Sequence, residues 1–317
     1  MNAPALLTML RLGTRRSALA MAQAGLVAAA LTDLGCQVEL VGVTTEGDRR
    51  SGAALADVGG TGVFVTELRA QLSAGAVDVV VHSLKDLPTA PADGLVVAAI
   101  PARADARDAL VSRGGSTLSQ LWPGAVVGTG SPRRAAQLRA ARADLDIRPI
   151  RGNVDTRLRK VADGEVDAVV VAAAGLLRLG RLGEATELLP PALMLPAPGQ
   201  GALGVECRAE DAALGGRLYE ALAAIDDPAT HAAVAAERAL LAELEAGCSA
   251  PVGALAQVSD HDLWLDAVVI GVDGTRALRR SVTGPTQDAP PIGRRLAAEL
   301  LAAGAAEIVA AKAGERP

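Results

Sequence analysis

Arginines crowd one stretch of this chain, GTGSPRRAAQLRAARADLDIRPIRGN, from Gly128 to Asn153. Between Ser131 and Lys160 nine basic residues stand against three acidic ones, although the whole chain has a formal net charge of -5 at pH 7. Guanidinium groups bind carboxylates and phosphates through paired hydrogen bonds. We therefore expect a polyanionic ligand at this stretch.

The four strongest candidates for binding that ligand are Arg133, Arg134, Arg151 and Arg157. Each lies near the end of a predicted strand or in the first turns of the next helix, where open α/β sheets bind ligands and helix N-termini attract anions. Arg139, Arg142 and Arg159 are instead expected on the solvated faces of two Ala-rich helices. The glycine-rich turn lacks the lysine of a phosphate loop and does not fit GxGxxG, so phosphate and carboxylate ligands both stay open.

The segment HSLKDLP places His82, Ser83, Lys85 and Asp86 directly after an apolar run that predicts a buried strand. A carboxylate in a basic pocket stays ionised and can stabilise a developing cation, which would suit Asp86. The same spacing also fits ordinary turn residues with a helix-capping Ser or Asp. From spacing alone, both interpretations stand.

Cys248 differs from the other two cysteines because it lies in a Gly- and Pro-flanked loop, LEAGCSAPVG, after a long predicted helix. An accessible thiol there could take part in thiolate chemistry or a covalent attachment. Cys36 and Cys207 are expected to be small buried hydrophobes. The three histidines and the dispersed cysteines show no metal-ligand spacing, so no metal is predicted.

Composition limits the class of protein. The 317 residues are 50% hydrophobic, enough for two or three domains with their own cores. With only two Trp, one Tyr and one Phe, and an acidic balance, the chain offers no stacking platform for nucleic acid. An odd cysteine count, no signal-peptide pattern and no apolar run long enough to cross a bilayer lead us to expect a cytoplasmic protein without a membrane partner.

The elements that must position these residues follow a βαβ rhythm through the first two thirds, which predicts mainly parallel sheets. Ser17 and Ser131 have the residue type and place of helix N-caps, Pro132 suits a first helical position, and Gly35 lies where a left-handed C-terminal cap is expected. The run LGVECR at 203–208 is expected to return to the first sheet by a double crossover. From about Asp227 the pattern predicts a small α+β domain, with a hairpin turn at Asp273-Gly274.

Eight motifs occur along the chain in the order known from the porphobilinogen deaminase family, which the sequence resembles nearly end to end. They are RLGTRRSALA, GGTGVFVTEL, HSLKDLPT, GTGSPRRAAQL, RGNVDTRL, AGLLRLG, LPAPGQGALGVECR and EAGCSAPVGA. The resemblance implies an α/β fold: two periplasmic-binding-protein-like lobes with mainly parallel sheets and a double crossover, plus a small C-terminal α+β domain. The implied domains are 1–102 plus 198–222, then 103–197, then 223–317.

The resemblance also implies hydroxymethylbilane synthase activity in haem and tetrapyrrole biosynthesis. Four porphobilinogen molecules are joined head to tail with loss of ammonia, and water releases the linear tetrapyrrole. The resemblance implies that the tetrapyrrole chain is built on a dipyrromethane cofactor, which Cys248 holds through a thioether, so that this thiol is an anchor. It also implies that Asp86 is the catalytic residue. Each pyrrole brings an acetate and a propionate, so up to six rings present roughly a dozen carboxylates to the arginines.

The matching motifs assign further residues. The cofactor-binding residues implied are Ser83, Lys85, Thr129, Ser131, Arg133, Arg134, Arg151 and Gly152. The substrate-binding residues implied are Arg15, Ser17, Arg157, Arg178 and Gln200. The chain departs from the best-known bacterial members at Asp57 and Thr61, which replace lysines in a predicted mobile loop, Gly47 to Gly62. It also carries Glu46 where those members have a basic residue and Gly130 where a hydroxyl residue is common.

Two other functions fit parts of the sequence. A two-lobed small-anion binding module without catalysis would use the same arginines, but it needs neither Cys248 nor a third domain. A cysteine-dependent acyltransferase would need a base near Cys248. We expect a monomer whose small-molecule partner is porphobilinogen.

Overall fold

The computed structural model describes residues 9–43, 63–213, 216–245 and 250–310. Its strands are β1 (Leu10–Arg15), β2 (Val38–Val43), β3 (Val79–Ser83), β4 (Leu95–Ala99), β5 (Asp108–Ser112), β6 (Val126–Gly128), β7 (Asp146–Arg148), β8 (Ala168–Ala172), β9 (Glu187–Leu189), β10 (Leu203–Arg208), β11 (Val252–Ser259), β12 (Asp262–Ile270) and β13 (Ala277–Pro285). Its α-helices are α1 (Ala18–Asp33), α2 (Val63–Ser73), α3 (Pro132–Ala141), α4 (Val154–Ala162), α5 (Ala173–Arg178), α6 (Ala209–Ala213), α7 (Arg217–Ile225), α8 (Pro228–Glu243), α9 (Ala289–Ala302) and α10 (Ala305–Ala310).

The chain divides into two compact units. The first comprises Met1–Arg103 with Ala202–His231, and the second comprises Ala104–Gly201 with Ala232–Pro317. The second unit therefore contains most of two of the predicted domains, and each of these parts has its own apolar core. The division into three domains stays a prediction.

The first unit is built on a five-stranded sheet in the order β2-β1-β3-β10-β4. Strands β1, β2 and β3 pair in parallel, and β10 lies antiparallel between β3 and β4. This confirms that LGVECR returns to the first sheet. The helix boundaries also have their predicted causes, since Ser17 Oγ accepts a hydrogen bond from the Ala20 N–H and Gly35 has a φ of +84°.

The second unit contains a sheet of the same pattern, β7-β6-β8-β5-β9, in which β5 is the inserted antiparallel strand. In each of the two sheets four of the five described strands run in one direction. The predicted α/β class with mainly parallel sheets and a double crossover is therefore confirmed.

The C-terminal part of the second unit is a three-stranded antiparallel sheet, β11-β12-β13, whose apolar core is shared with α8, α9 and α10. The predicted hairpin at Asp273-Gly274 is confirmed, because β12 and β13 pair from Ile270 and Ala277 onward. Strand β11 was not predicted. Its first five residues are all buried, so it lacks the alternation of a half-exposed strand.

The second face of this small sheet explains why β11 is buried on both sides. Leu255, Val268 and Ile270 pack against Ala136 of α3 and Leu195, both in the α/β lobe built on the β7-β6-β8-β5-β9 sheet.

Arg139 Nη1 donates to the Val272 carbonyl oxygen at 2.7 Å, and Arg142 donates to the carbonyls of Leu118 and Leu121. The expectation of solvated faces was therefore wrong for Arg139 and Arg142, whereas Arg159 is exposed as expected.

Candidate active site

The first group of candidate residues lies at the carboxyl edge of the first unit's sheet. Strands β1 and β3 are parallel neighbours with Leu12 opposite Val79, so their ends at Arg15 and Ser83 meet at one edge. Ser17 follows β1 as the N-cap of α1. The parallel pairing thus brings together residues that are nearly 70 positions apart in sequence.

Asp86 ends a single 3-10 turn, Leu84–Asp86, that directly follows β3. Leu84 and Leu87 on either side are buried, whereas the Asp86 side chain is exposed. Ser83 makes no capping bond, and its hydroxyl accepts a hydrogen bond from the Gln23 amide at 2.8 Å. Two buried leucines therefore anchor a short turn that presents a carboxylate at the sheet edge, and the helix-capping interpretation of Ser83 is wrong.

A buried cluster of titratable side chains includes His82, which lies near the end of β3. His82 Nε2 lies 3.0 Å from Glu206 Oε2, and Arg69 of α2 binds both Glu206 oxygens at 2.7 and 3.0 Å. Burial raises the pKa of Glu206, but its contacts with His82 and Arg69 outweigh this effect and lower the pKa to about 2. Sequence reasoning missed Arg69 and Glu206, although a glutamate inside the apolar run LGVECR was a usable signal.

The second group follows β6 in the second unit. Thr129 Oγ1 accepts the Ser131 N–H at 3.2 Å, and Ser131 Oγ caps the Arg134 N–H at 3.4 Å. Pro132 is the first residue of α3, as predicted. A Cβ at Gly130 would lie 2.7 Å from the Ile150 carbonyl oxygen, so this backbone leaves no room for a side chain there.

Arg133 and Arg134 are buried, with Asp108 as their shared counter-ion. Arg133 Nη2 donates to one Asp108 oxygen at 2.8 Å, and Arg134 donates to the other from Nε and Nη2 at 3.0 and 2.7 Å. Burial raises the pKa of Asp108, but the two guanidiniums outweigh it and hold the pKa well below its usual range. The sequence analysis did not single out Asp108. An aspartate as the first residue of the otherwise apolar strand DALVS was the feature that could have indicated it.

Gln200 is 1% exposed and belongs to the same network. Its Nε2 donates to Asp108 Oδ1 and to the Ala106 carbonyl, both at 2.8 Å, and its Oε1 faces Arg134 Nη2 at 3.4 Å. Arg133 Nη1 binds the Leu195 carbonyl, and Arg134 Nη1 binds that of Val170. In this structure these three predicted ligand-binding side chains bind protein groups, and their ligand contacts stay a prediction.

Arg157 and Arg178 differ because neither has a carboxylate partner among the described residues. Arg157 Nε donates to the Gly152 carbonyl at 2.9 Å, and Arg178 Nη2 donates to that of Gly201 at 2.6 Å. Arg178 Nε is buried without any hydrogen-bond partner in the described part of the chain. Burial lowers the pKa of each guanidinium to about 10, with help from nearby Arg134 in the case of Arg157. Such groups are suited to bind an anion.

Gly152 and Arg151 form the loop that leads into α4. Gly152 has a φ of +107°, and a Cβ there would lie 2.6 Å from the Thr156 side chain, so the position requires glycine. Asn153 caps α4 by accepting the Thr156 N–H at 2.9 Å. Arg151 is exposed and Lys85, in the first unit, is partly so. The tight loop fixes where α4 begins and hence where Arg157 lies.

Several predicted features fall outside the described residues: Cys248, Glu46, Asp57, Thr61 and the rest of the Gly47 to Gly62 loop. Cys36 and Cys207 are free and buried, as predicted, and burial raises the pKa of Cys207 to about 11. The described ranges contain no group of three His, Cys, Asp or Glu side chains that could hold a metal ion. Nor does any helix in those ranges have the length and apolarity needed to cross a membrane.

The chain is similar to known proteins along nearly its whole length. Two family models match: porphobilinogen deaminase, dipyromethane cofactor binding domain, over residues 10–215, and porphobilinogen deaminase, C-terminal domain, over residues 231–302. A porphobilinogen deaminase of Acidothermus cellulolyticus is 60% identical over 98% of this chain and 94% of its own length. One from Nocardia farcinica is 55% identical over 100% of this chain and 92% of its own. A periplasmic substrate-binding protein from Coxiella burnetii is 18% identical, with a TM-score of 0.44 over 73% of this chain and 97% of that one.

Proposed function

The chain belongs to the porphobilinogen deaminase family, and from this premise we propose which residues carry its hydroxymethylbilane synthase activity. The reaction joins four porphobilinogen molecules with loss of ammonia and releases a linear tetrapyrrole. The observation that carries the assignment is the pair of half-buried guanidiniums of Arg157 and Arg178, which have no carboxylate partner among the described residues.

These guanidiniums fit the family's cofactor and substrate, whose pyrrole rings bear acetate and propionate groups. A buried cation without a counter-ion is costly, and an incoming carboxylate supplies both the charge and the acceptor for its free N–H groups. The orphaned Arg178 Nε is such a donor. Arg133, Arg134 and Asp108 together add an excess of one positive charge, and Arg134 lies near enough to Arg157 to lower its pKa.

When bound, the dipyrromethane cofactor supplies the pyrrole α-carbon to which substrate units are added. We propose that the Cys248 thiol anchors it and takes no part in turnover. Asp86 accepts hydrogen bonds from pyrrole N–H groups and stabilises the positive charge that develops as ammonia departs. Its place on a turn fixed by Leu84 and Leu87 supports this role, since a charge-stabilising group works best when it is held in position.

The remaining polar candidates would orient the acidic side chains of cofactor and substrate. They are Arg15, Ser17, Ser83 and Lys85 in the first unit and Thr129, Ser131, Arg151, Gly152 and Gln200 in the second. The main-chain N–H groups at the start of α3 add donors beside Ser131.

We further propose a monomer of three domains, 1–102 plus 198–222, 103–197 and 223–317, that works in the cytoplasm. The separate apolar core of the C-terminal sheet supports a third domain. The free, buried thiols of Cys36 and Cys207 suit a reducing compartment. Light scattering at micromolar concentration should give the mass of one chain, and a dimer mass would contradict the monomer.

Intact mass spectrometry tests the assignment most directly. The purified chain should carry an adduct with the mass of two pyrrole units, and Cys248→Ser should lose it together with activity. Cys36→Ser changes a buried thiol in the core of the first unit and should keep both. A bare wild-type chain would instead favour the small-anion binding module, and an adduct that survives Cys248→Ser would refute the anchor.

A further inference from the structure

One buried carboxylate in the second unit has no place in the mechanism above. Glu237, in the middle of α8, is 0% exposed. Its Oε2 accepts the Gly199 N–H at 2.6 Å, and its Oε1 accepts the Ala256 N–H of β11 at 2.8 Å. A carboxylate is a costly choice for a purely apolar contact, so its use at this position calls for a reason.

The turn that Glu237 binds, residues 199–201, also holds the arginines. Gly199 and Gly201 have φ values of +72° and +89°, which only glycine adopts without strain. Between them, Gln200 places its amide against Asp108 and Arg134. The Gly201 carbonyl accepts both Arg178 Nη2 at 2.6 Å and the Ala104 N–H at 3.2 Å.

We infer that Glu237 is a positioning residue for the arginine site. Its hydrogen bond with the Gly199 N–H fixes one end of the 199–201 turn. That turn holds Arg134 by way of the Gln200 side chain and holds Arg178 by way of the Gly201 carbonyl. Charge-assisted hydrogen bonds that a carboxylate accepts from main-chain N–H groups are short and directional, so they are suited to fixing the position of a turn. The inference rests on the proposed function, in which Arg178 receives an acidic pyrrole side chain.

The test compares Glu237→Gln with Glu243→Gln, an exposed glutamate on the same helix. In Glu237→Gln, the new amide NH2 faces one of two main-chain donors, so the turn loosens. We expect KM for porphobilinogen to rise about tenfold while kcat changes far less. In cofactor-free protein carrying Cys248→Ser, the Arg178 side-chain N–H signal in ¹⁵N NMR should shift. Glu243→Gln should leave KM and the signal as they are.

A folded Glu237→Gln protein with unchanged KM and an unmoved Arg178 signal would overturn the inference, even if its melting temperature fell. Should Glu237→Gln fail to fold, Glu237→Asp keeps the charge but reaches only one donor, and both readouts apply to it in the same way. Arg178→Lys identifies the NMR signal and separates the two proposals. If Arg178→Lys leaves KM unchanged, the proposed role of Arg178 fails, while the NMR shift still decides whether Glu237 sets the turn.

Discussion

At the scale of single residues, the arginines show how a side chain's partners decide its task. Arg133 and Arg134 share Asp108 inside the lobe, so the protein compensates one of their two positive charges. Arg157 and Arg178 are desolvated without such a partner in the described chain, and their lowered pKa values reflect that cost. An unpaired, desolvated cation destabilises the fold, and a bound anion offsets that cost. Such a cation is therefore useful in a binding site.

Asp86 allows the sharpest prediction at this scale. Asp86→Asn keeps the size and removes the charge, so kcat should fall by about 100-fold or more because the cation that develops on loss of ammonia is no longer stabilised. Steady-state assays on protein whose adduct mass has been verified measure this. Asp93→Asn, also exposed and seven residues away, should retain normal turnover. Near-normal kcat for Asp86→Asn would exclude the charge-stabilising role.

At the scale of elements, Glu206 connects three segments of the first unit through its side-chain contacts. It lies on β10, its partners are His82 at the end of β3 and Arg69 on α2, and Asp86 follows β3 directly. Antiparallel pairing of β10 with β3 is what brings Glu206 near His82, since Gly204 lies opposite His82. The inserted strand thus contributes a buried charge beside the strand that leads to Asp86, as well as sheet pairing.

The lowered pKa of Glu206 makes this contribution pH-dependent. Folding lowers the pKa from its ordinary value of 4.5 to about 2. The ionised carboxylate therefore stabilises the fold fully above pH 4.5, and the stabilisation is lost as pH falls toward 2. Glu206→Gln should lower the free energy of unfolding by about 2 kcal/mol at pH 6, and by about 1 kcal/mol less than that at pH 3.5.

Urea unfolding of wild type and variant at the two pH values measures this difference. Glu210→Gln is a matched control four residues further on, where the side chain is 77% exposed and should contribute little at either pH. A difference between wild type and Glu206→Gln that stays constant from pH 6 to 3.5 would contradict the assignment of the pKa shift to this cluster.

At the scale of the molecule, the second unit combines an α/β lobe with the C-terminal sheet. Their contact includes an apolar cluster of Ala136 and Leu195 with Leu255, Val268 and Ile270. Polar bonds add to it, because Arg279 donates to the carbonyls of Pro191 and Ala192 and also pairs with buried Asp266. The two parts are therefore expected to unfold together.

Gly274 tests this coupling. It has a φ of +79°, and a Cβ there would lie 2.8 Å from both the Ala136 oxygen and the Ala140 nitrogen of α3. Gly274→Ala should destabilise the protein by about 2 to 3 kcal/mol, from backbone strain plus the clash. Gly180→Ala, at a φ of +69° with open space around it, carries the strain alone and should cost about 1 kcal/mol.

Two tryptophans allow each part to be followed separately by fluorescence. Trp122 lies in the lobe and Trp264 on β12, and both are partly exposed, so replacing either with Phe should be tolerated. In an otherwise wild-type background the two single-tryptophan proteins should unfold at the same midpoint. Gly274→Ala should separate the midpoints. Midpoints that already differ in the otherwise wild-type background would refute the coupling, and midpoints that still coincide in Gly274→Ala would show that the contact at Gly274 is not what couples the two parts.

The sequence alone determined the family, the order of most elements and the helix boundaries, because these depend on local patterns. Ser17, Gly35, Ser131 and Pro132 set helix ends through their own side chains or backbone freedom. The sequence also singled out the charged residues near strand ends. These features need no knowledge of which distant segments meet.

Only the tertiary structure decided which charges are paired. Asp108, Glu206 and Glu237 each bind groups far away in sequence, with separations from 19 to 137 residues, and no local pattern encodes such contacts. The same holds for β11, whose burial on both faces comes from packing against the lobe. Because the free energy of a buried charge depends on its partners, the tasks of the arginines could be assigned only after folding had brought those partners together.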